Sequence, residues 1–210
     1  MNFYPTKFPF FFRRLFPSLI YDVPNNEQKI YLTFDDGPTP DITNWVLNEL
    51  EKVQAKATFF CIGNNIEKHP NIVKNLVEKG HQIANHSYNH AKGWGTSATD
   101  YIDELIQTEK LLQQFSDTKN LFRPPYGRIT RKQIKEVQSL GHKIIMWTIV
   151  VGDFSKELDT QKAIDYLTKK TQSGSILVFH DSVKAFPKLQ KILPQVLYNL
   201  KNRGFEFEVL

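Results

Sequence analysis

Two short clusters hold the residue types that could do chemistry. Positions 33–38 read TFDDGP, with adjacent acids Asp35 and Asp36, and positions 86–90 read HSYNH, with His86 and His90 four apart. Two imidazoles and one carboxylate form a three-ligand set for a divalent ion. Such a set leaves one coordination position open, and a water there loses a proton near neutral pH. The second carboxylate is spare, so the residues together suit metal-assisted hydrolysis. The HxxxH spacing predicts both imidazoles on one side of a helical turn. Taken singly, each cluster has a plainer reading, since Asp, Gly and Pro are ordinary turn residues. Their coincidence at the ends of neighbouring strands is harder to set aside.

Three more residues join them. Arg123 opens RPPYG at 123–127, Asp153 lies in WTIVVGDF at 147–154, and His180 ends the apolar run ILVFHD at 176–181. Arg123 suits the capping of a carboxylate; His180 is either a delivered functional group or a satisfied core histidine. All of these lie at or just after the C-terminal end of a predicted strand, the rim at which α/β barrels build their sites.

The elements that position them alternate. Strands are predicted at 30–34, 57–62, 82–85, 121–123, 143–150, 175–180 and 205–210, mostly short and nearly continuously apolar, as strands buried on both faces are. Amphipathic helices lie between, with core faces through Ile42, Trp45, Val46, Leu50 and Val53, and through Phe186, Leu189, Leu193, Val196, Leu197 and Leu200. Pro70 suits a first helical position, Thr130 with Gln133 a capping box, and Gly80, Gly141 and Gly204 helix C-terminal caps, each before a strand. The expectation is a single-domain α/β fold of parallel strands, a seven-stranded barrel that is incompletely closed.

The chain has 210 residues, enough for one sizeable core. Its net charge of +5 is spread along the sequence and no nucleic-acid motif is present, so no nucleic-acid partner is expected. Cys61 is the only cysteine, set among Phe59, Phe60 and Ile62, which suits a buried core thiol and excludes an intrachain disulfide. Residues 1–28 form an aromatic-rich extension, with Phe3, Phe8, Phe10, Phe11, Phe12 and Phe16 broken by prolines and by Arg13 and Arg14. This matches neither a membrane span nor a standard signal peptide. The expectation is that the phenylalanines pack on the barrel and cover its open bottom or side; contact with a membrane surface is the alternative, and the location is left as cytoplasmic or peripheral. A monomer is expected.

From position 29 to 210 the chain resembles the polysaccharide deacetylases, carbohydrate esterase family four, which include chitooligosaccharide and peptidoglycan deacetylases. TFDDGP, HSYNH, RPPYG and the LVFHD strand end occur in the family's order. The resemblance implies a distorted (β/α)7-type barrel over 29–210. It implies a divalent metal, Zn2+ or alternatively Co2+, on Asp36, His86 and His90, with Asp35 as base and His180 as acid. It implies removal of acetyl from N-acetylated sugars of a glycan substrate. On that reading Arg123 orients Asp35, the Tyr126 backbone N–H faces the developing oxyanion, and Asp153 supports His180. The fourth motif departs from the family: Val150 replaces an acid and Phe154 a tryptophan. Phe154 and Val178 would then offer a smaller apolar wall at the acetyl and sugar subsite. Trp94, in the loop after the histidines, either stacks on a sugar ring or packs under its loop.

Three other readings stay open. An acetyl-ester hydrolase on O-acetylated polysaccharide could use the same site. A glycan-binding protein that has lost turnover is suggested by the altered fourth motif. A two-histidine, one-carboxylate iron oxygenase follows from the ligands alone but explains neither Asp35 nor the ordered rim motifs.

Overall fold

The structure, a computed structural model, describes residues 5–8, 10–116 and 118–210, the side chains of Phe10 and Phe12 excepted. Its strands are β1 (Thr6–Lys7), β2 (Lys29–Asp35), β3 (Ala57–Cys61), β4 (Gln82–Asn85), β5 (Leu121–Phe122), β6 (Lys143–Ile144), β7 (Ile149–Val150), β8 (Ile176–His180) and β9 (Glu206–Phe207). The helices are α1 (Phe10–Leu15), α2 (Ile42–Lys52), α3 (Gly63–Lys68), α4 (Pro70–Glu78), α5 (Ala98–Leu112), α6 (Arg131–Ser139), α7 (Thr160–Lys170) and α8 (Phe186–Asn202).

The sheet runs β1-β7-β8-β2-β3-β4-β5-β6, with β9 added beside β2, and every pairing except β1 with β7 is parallel. It is a curled, incompletely closed barrel, as the strand count suggests. Alternation along each strand sorts side chains to its two faces. On β2, Ile30, Leu32 and Phe34 enter the large cluster under the helices with residues of α2 and α8, while Tyr31 joins Phe60, Ala84 and Ile176 in the barrel interior. Continuing that inner row, Thr33 and then Asp35 follow Tyr31, and His180 follows Ile176 and Val178. The strands' inner rows therefore end at the rim on the polar residues. Phe34 is fully buried and stacked between Phe59 and Phe179, at 5.0 and 5.6 Å between ring centroids.

Local signals hold where they were expected. Pro70 starts α4, Thr130 and Gln133 form a reciprocal capping box on α6, and Gly80, Gly141 and Gly204 take positive φ. Several strand boundaries differ, three of them with structural consequence. The expected strand at 143–150 is two, because the Ile145 and Met146 carbonyls turn to Arg123 instead of continuing the ladder. The last strand covers only Glu206–Phe207, pairing with Lys29 and Ile30, and the fourth stops at Phe122.

The extension lines the gap between β6 and β7. Ile20 donates to the Ile144 carbonyl and accepts from the Met146 N–H, and Thr148 Oγ1 donates to the Tyr21 carbonyl. Phe8 packs on Tyr21 and on Trp147 at 4.8 and 5.3 Å, and Phe16 packs on the cluster beneath. Phe11 is not packed away: it is 67% exposed. Phe3 lies outside the described residues. No helix among them is long and apolar enough to cross a membrane.

Replacing the stacked central ring, Phe34→Ala, is expected to cost about 3–5 kcal/mol of stability through the cavity it leaves. Urea unfolding monitored by circular dichroism measures it.

Candidate active site and metal centre

The rim residues converge on a cleft of about 890 Å³ whose walls include Asp35, Asp36, His86, His90, Tyr126 and His180. Asp36 Oδ1 lies 3.3 Å from His90 Nε2 and 3.8 Å from His86 Nε2, and ligand atoms of the three residues all fall within 4.8 Å of one another. Ligands bound tetrahedrally at about 2.0–2.1 Å sit about 3.4 Å apart. The donor set fits a zinc-like divalent ion in chemistry, and the two distances from Asp36 bracket that spacing.

Local contacts fix the state of both histidines. His86 follows β4, and its Nδ1 lies 2.8 Å from the Arg123 carbonyl, which can only accept; the proton sits on Nδ1 and Nε2 keeps its lone pair. Burial lowers the pKa of His86, and burial together with the neighbouring His86 lowers that of His90 to about 4. Both rings are neutral donors at physiological pH.

The segment carrying them is not helical. Ser87 and His90 take φ of 61° and 59°, and the Asn85 side chain captures the Ser87 N–H at 3.0 Å. Ser87 Oγ then accepts the Ala91 N–H at 3.0 Å, and Glu104 accepts the Asn89 N–H at 2.7 Å. Side-chain acceptors thus replace the helical ladder, and the rings meet through a loop.

Asp35 and His180 are register partners on the adjacent strands β2 and β8, so both side chains arrive at the same rim. Arg123 Nη1 donates to Asp35 Oδ1 at 2.7 Å, and both groups are buried. Burial pushes the Asp35 carboxyl up, but Arg123, with His86 and His180 nearby, outweighs it and holds the pKa below the usual carboxylate range. The Asp153 carboxylate grips His180 twice, accepting the backbone N–H at 2.9 Å and pairing with Nδ1 at 2.8 Å. Burial works against the charged ring, yet Asp153 raises its pKa to about 9. His180 is therefore protonated at neutral pH.

The remaining predicted residues divide. Phe154 packs edge-on to His180 at 5.0 Å, and Val178 lines the cleft beside Val150. Tyr126, at φ 59° in a short 3-10 turn (Pro125–Gly127), places its ring 4.5 Å from His90. The following Gly127 has φ 63°, and a Cβ there would come within 2.5 Å of Trp147. Trp94 is not packed under its loop: it is 68% exposed, with the Arg128 guanidinium 5.0 Å over its ring, and it stands outside the cleft lining. Cys61 is buried, and burial raises its thiol well above the ordinary value.

Residues not singled out in sequence complete the site. Thr33 Oγ1 accepts from Arg123, and the Phe60 ring lies 4.0 Å beneath the guanidinium. Asp181, lifted to about 7 chiefly by burial, accepts from Gly37 and Thr43. Thr33, Gly37 and Asp181 lie inside or beside the motifs, so adjacency was their signal; Thr43 and Phe60 look like ordinary core residues.

Comparison with known proteins agrees with the geometry. The polysaccharide deacetylase family model matches residues 22–145. A Bacillus cereus peptidoglycan-N-acetylglucosamine deacetylase is 31% identical over 189 residues, covering 89% of this chain and 88% of its own. Among solved structures, a peptidoglycan N-acetylglucosamine deacetylase bound to 4-naphthalen-1-yl-N-oxidanyl-benzamide superposes with a TM-score of 0.87 at 30% identity, over 95% of this chain and 94% of that one. The Xyl-CE4 domain of a multidomain xylanase from the Trinervitermes trinervoides hindgut metagenome gives 0.80 at 31% identity, over 88% of each chain. The peptidoglycan deacetylases among these relatives are hydrolases of carbon–nitrogen bonds other than peptide bonds. The chain belongs to the polysaccharide deacetylase family.

In metal-free protein the His180 imidazole is expected to titrate near pH 9 by NMR. In Asp153→Asn, where burial is opposed only by the charges of Asp36 and Asp35, the ring is expected to titrate well below pH 9. An unchanged titration would mean that Asp153 does not set the charge of His180.

Proposed function

We propose that this protein removes acetyl groups from N-acetylated amino sugars of a cell-wall glycan of the peptidoglycan type, using zinc held by Asp36, His86 and His90. The observation that carries the reading is the placement of a three-donor cluster, an ionised buried carboxylate and a protonated imidazole around one cleft. When bound, the ion polarises the acetyl carbonyl and acidifies water.

The chain's own groups divide the proton transfers. Asp35, kept ionised and oriented by Arg123, accepts a proton from the attacking water. The water oxygen bonds to the carbonyl carbon, and charge developing on the carbonyl oxygen meets the backbone N–H of Tyr126. The C–N bond then breaks. An amine leaves poorly, so His180, charged through Asp153, gives its proton to the departing nitrogen, and acetate and a free amino sugar result. Val150, Phe154 and Val178 form an apolar wall for the acetyl methyl, and Trp94 offers a face for a sugar further along the polymer.

Two features favour a cell-wall polymer with carboxylates. Two of the relatives named above are peptidoglycan N-acetylglucosamine deacetylases, and the cleft lining carries Lys68 and Lys184 but no acid beyond Asp35 and Asp36 among the described residues. The likeness to a xylanase domain favours a second reading, an esterase on O-acetylated polysaccharide, in which an alkoxide leaves more readily and less is asked of His180.

Acetate release from N-acetylated and O-acetylated saccharides, with zinc or cobalt and with chelator, tests the reading. Activity is expected on the amide substrates, lost with chelator and restored by either metal; chelator-insensitive release would overturn it. His180→Ala is expected to lose about 10²–10⁴-fold in kcat on an amide and markedly less on an ester. An equal loss on both would remove its assignment as proton donor to the amine.

Charge reversal at the lining lysines, Lys68→Glu with Lys184→Glu, is expected to raise KM about tenfold for muropeptides bearing carboxylates. KM for neutral chitooligosaccharides should stay unchanged, and equal effects on both substrates would remove the preference for an anionic polymer.

A further inference from the structure

The best-defined buried group that the proposed reaction does not use is the Asp181 carboxylate. It is fully buried one residue past His180, and its two functional ends bracket the metal ligand in the chain. Its backbone N–H donates to the Asp35 carbonyl at 3.1 Å, before Asp36, and its Oδ1 accepts the Gly37 N–H at 3.1 Å, after it. Oδ2 accepts the hydroxyl of Thr43, itself fully buried at the start of α2. The same hydroxyl accepts the Thr39 N–H at 2.8 Å, tying the far end of the Asp36 turn to the same point.

Asp36 needs such support. It adopts φ of 82°, a left-handed conformation that is strained for a non-glycine residue. Around it the Asp36 carbonyl accepts from Asn65 Nδ2 at 2.8 Å, and the Gly37 carbonyl accepts the Ile62 N–H at 2.9 Å. Gly37 leaves room for the carboxylate, since a Cβ there would come within 2.1 Å of Asp181 Oδ2. Released from this frame, the turn would relax toward ordinary φ and carry the Asp36 carboxylate away from His86 and His90.

We infer that Asp181 and Thr43 are positioning residues for the metal, a buried clamp that holds the Asp36 turn in ligating geometry. The inference rests on Asp36, His86 and His90 being the metal site. Remote clamps of this kind set affinity by preorganisation, because the ligand's conformation is secured before the ion arrives.

Thr43 gives the cleaner test, because Val matches its shape and removes only the hydroxyl. Zinc affinity of the full chain is measured by competition with a chromogenic chelator, beside the Tm of metal-free protein. Thr43→Val is expected to weaken zinc binding by about 10-fold or more, the range seen for outer-shell partners of metal ligands. Thr43→Ser, which keeps the hydroxyl, should stay within about twofold of the unaltered protein on the same principle. At saturating zinc, Thr43→Val should regain most of its kcat. Asp181→Asn is expected to weaken zinc more than Thr43→Val does. Equal zinc affinity in Thr43→Val and the unaltered protein would overturn the clamp, whatever happens to Tm. Failure of the unaltered protein to bind zinc would instead bring down the metal reading, and the clamp with it.

Discussion

The rim is organised around a guanidinium that no water reaches. Arg123 is fully buried, and its donors go to Asp35, Thr33 and the carbonyls of Ile145 and Met146, with Phe60 beneath its face. A buried cation is tolerable only with a charge partner and satisfied donors. Arg123 satisfies both conditions by drawing on β2 and on the segment after β6. Its backbone carbonyl also fixes the His86 ring. One residue thus orients the proposed base and a proposed metal ligand together, and it bends the sheet where the barrel fails to close.

That bend connects the open seam to the site. With the Ile145 and Met146 carbonyls committed inward, the chain cannot continue β6, and the exposed backbone edge is met by Ile20 and Tyr21 of the extension. Phe8 and Trp147 close the gap with aromatic surface, and the Trp147 ring in turn abuts Gly127 in the turn that carries Tyr126. The extension is therefore linked to the proposed oxyanion turn by continuous packing.

Much of this was legible in sequence, for identifiable reasons. Strand runs such as Ala57–Cys61 and Ile176–His180 are apolar on both faces, so their length and ends show in composition alone. Asp35, Asp36, His86, Arg123 and His180 stand at those ends, so the rim could be assembled from strand boundaries. What could not be read were local choices made by tertiary partners. HxxxH has helical spacing, yet Asn85 and Glu104 take its amide hydrogens and fold it as a loop. The run 143–150 looks continuous because nothing in it announces that two of its carbonyls serve an arginine twenty residues earlier. Thr43, with its hydroxyl committed to Asp181, is indistinguishable in sequence from any helix-start threonine.

The altered fourth motif acquires a physical meaning once placed. Val150 pairs in register with Val178, so the substitution sets two branched apolar side chains side by side on one wall, next to the Phe154 edge on His180. With an apolar residue at 150, Asp153 is the direct carboxylate partner of the imidazole. In a drier wall a charge pair interacts more strongly, and an unpaired charge is more costly. Lys184, whose ammonium lies 5.6 Å over the Phe154 ring, borders the same wall from the solvent side. Phe154 thus stands at right angles to the imidazole and offers its face to the cation, where the proposed apolar wall and the proposed proton donor meet.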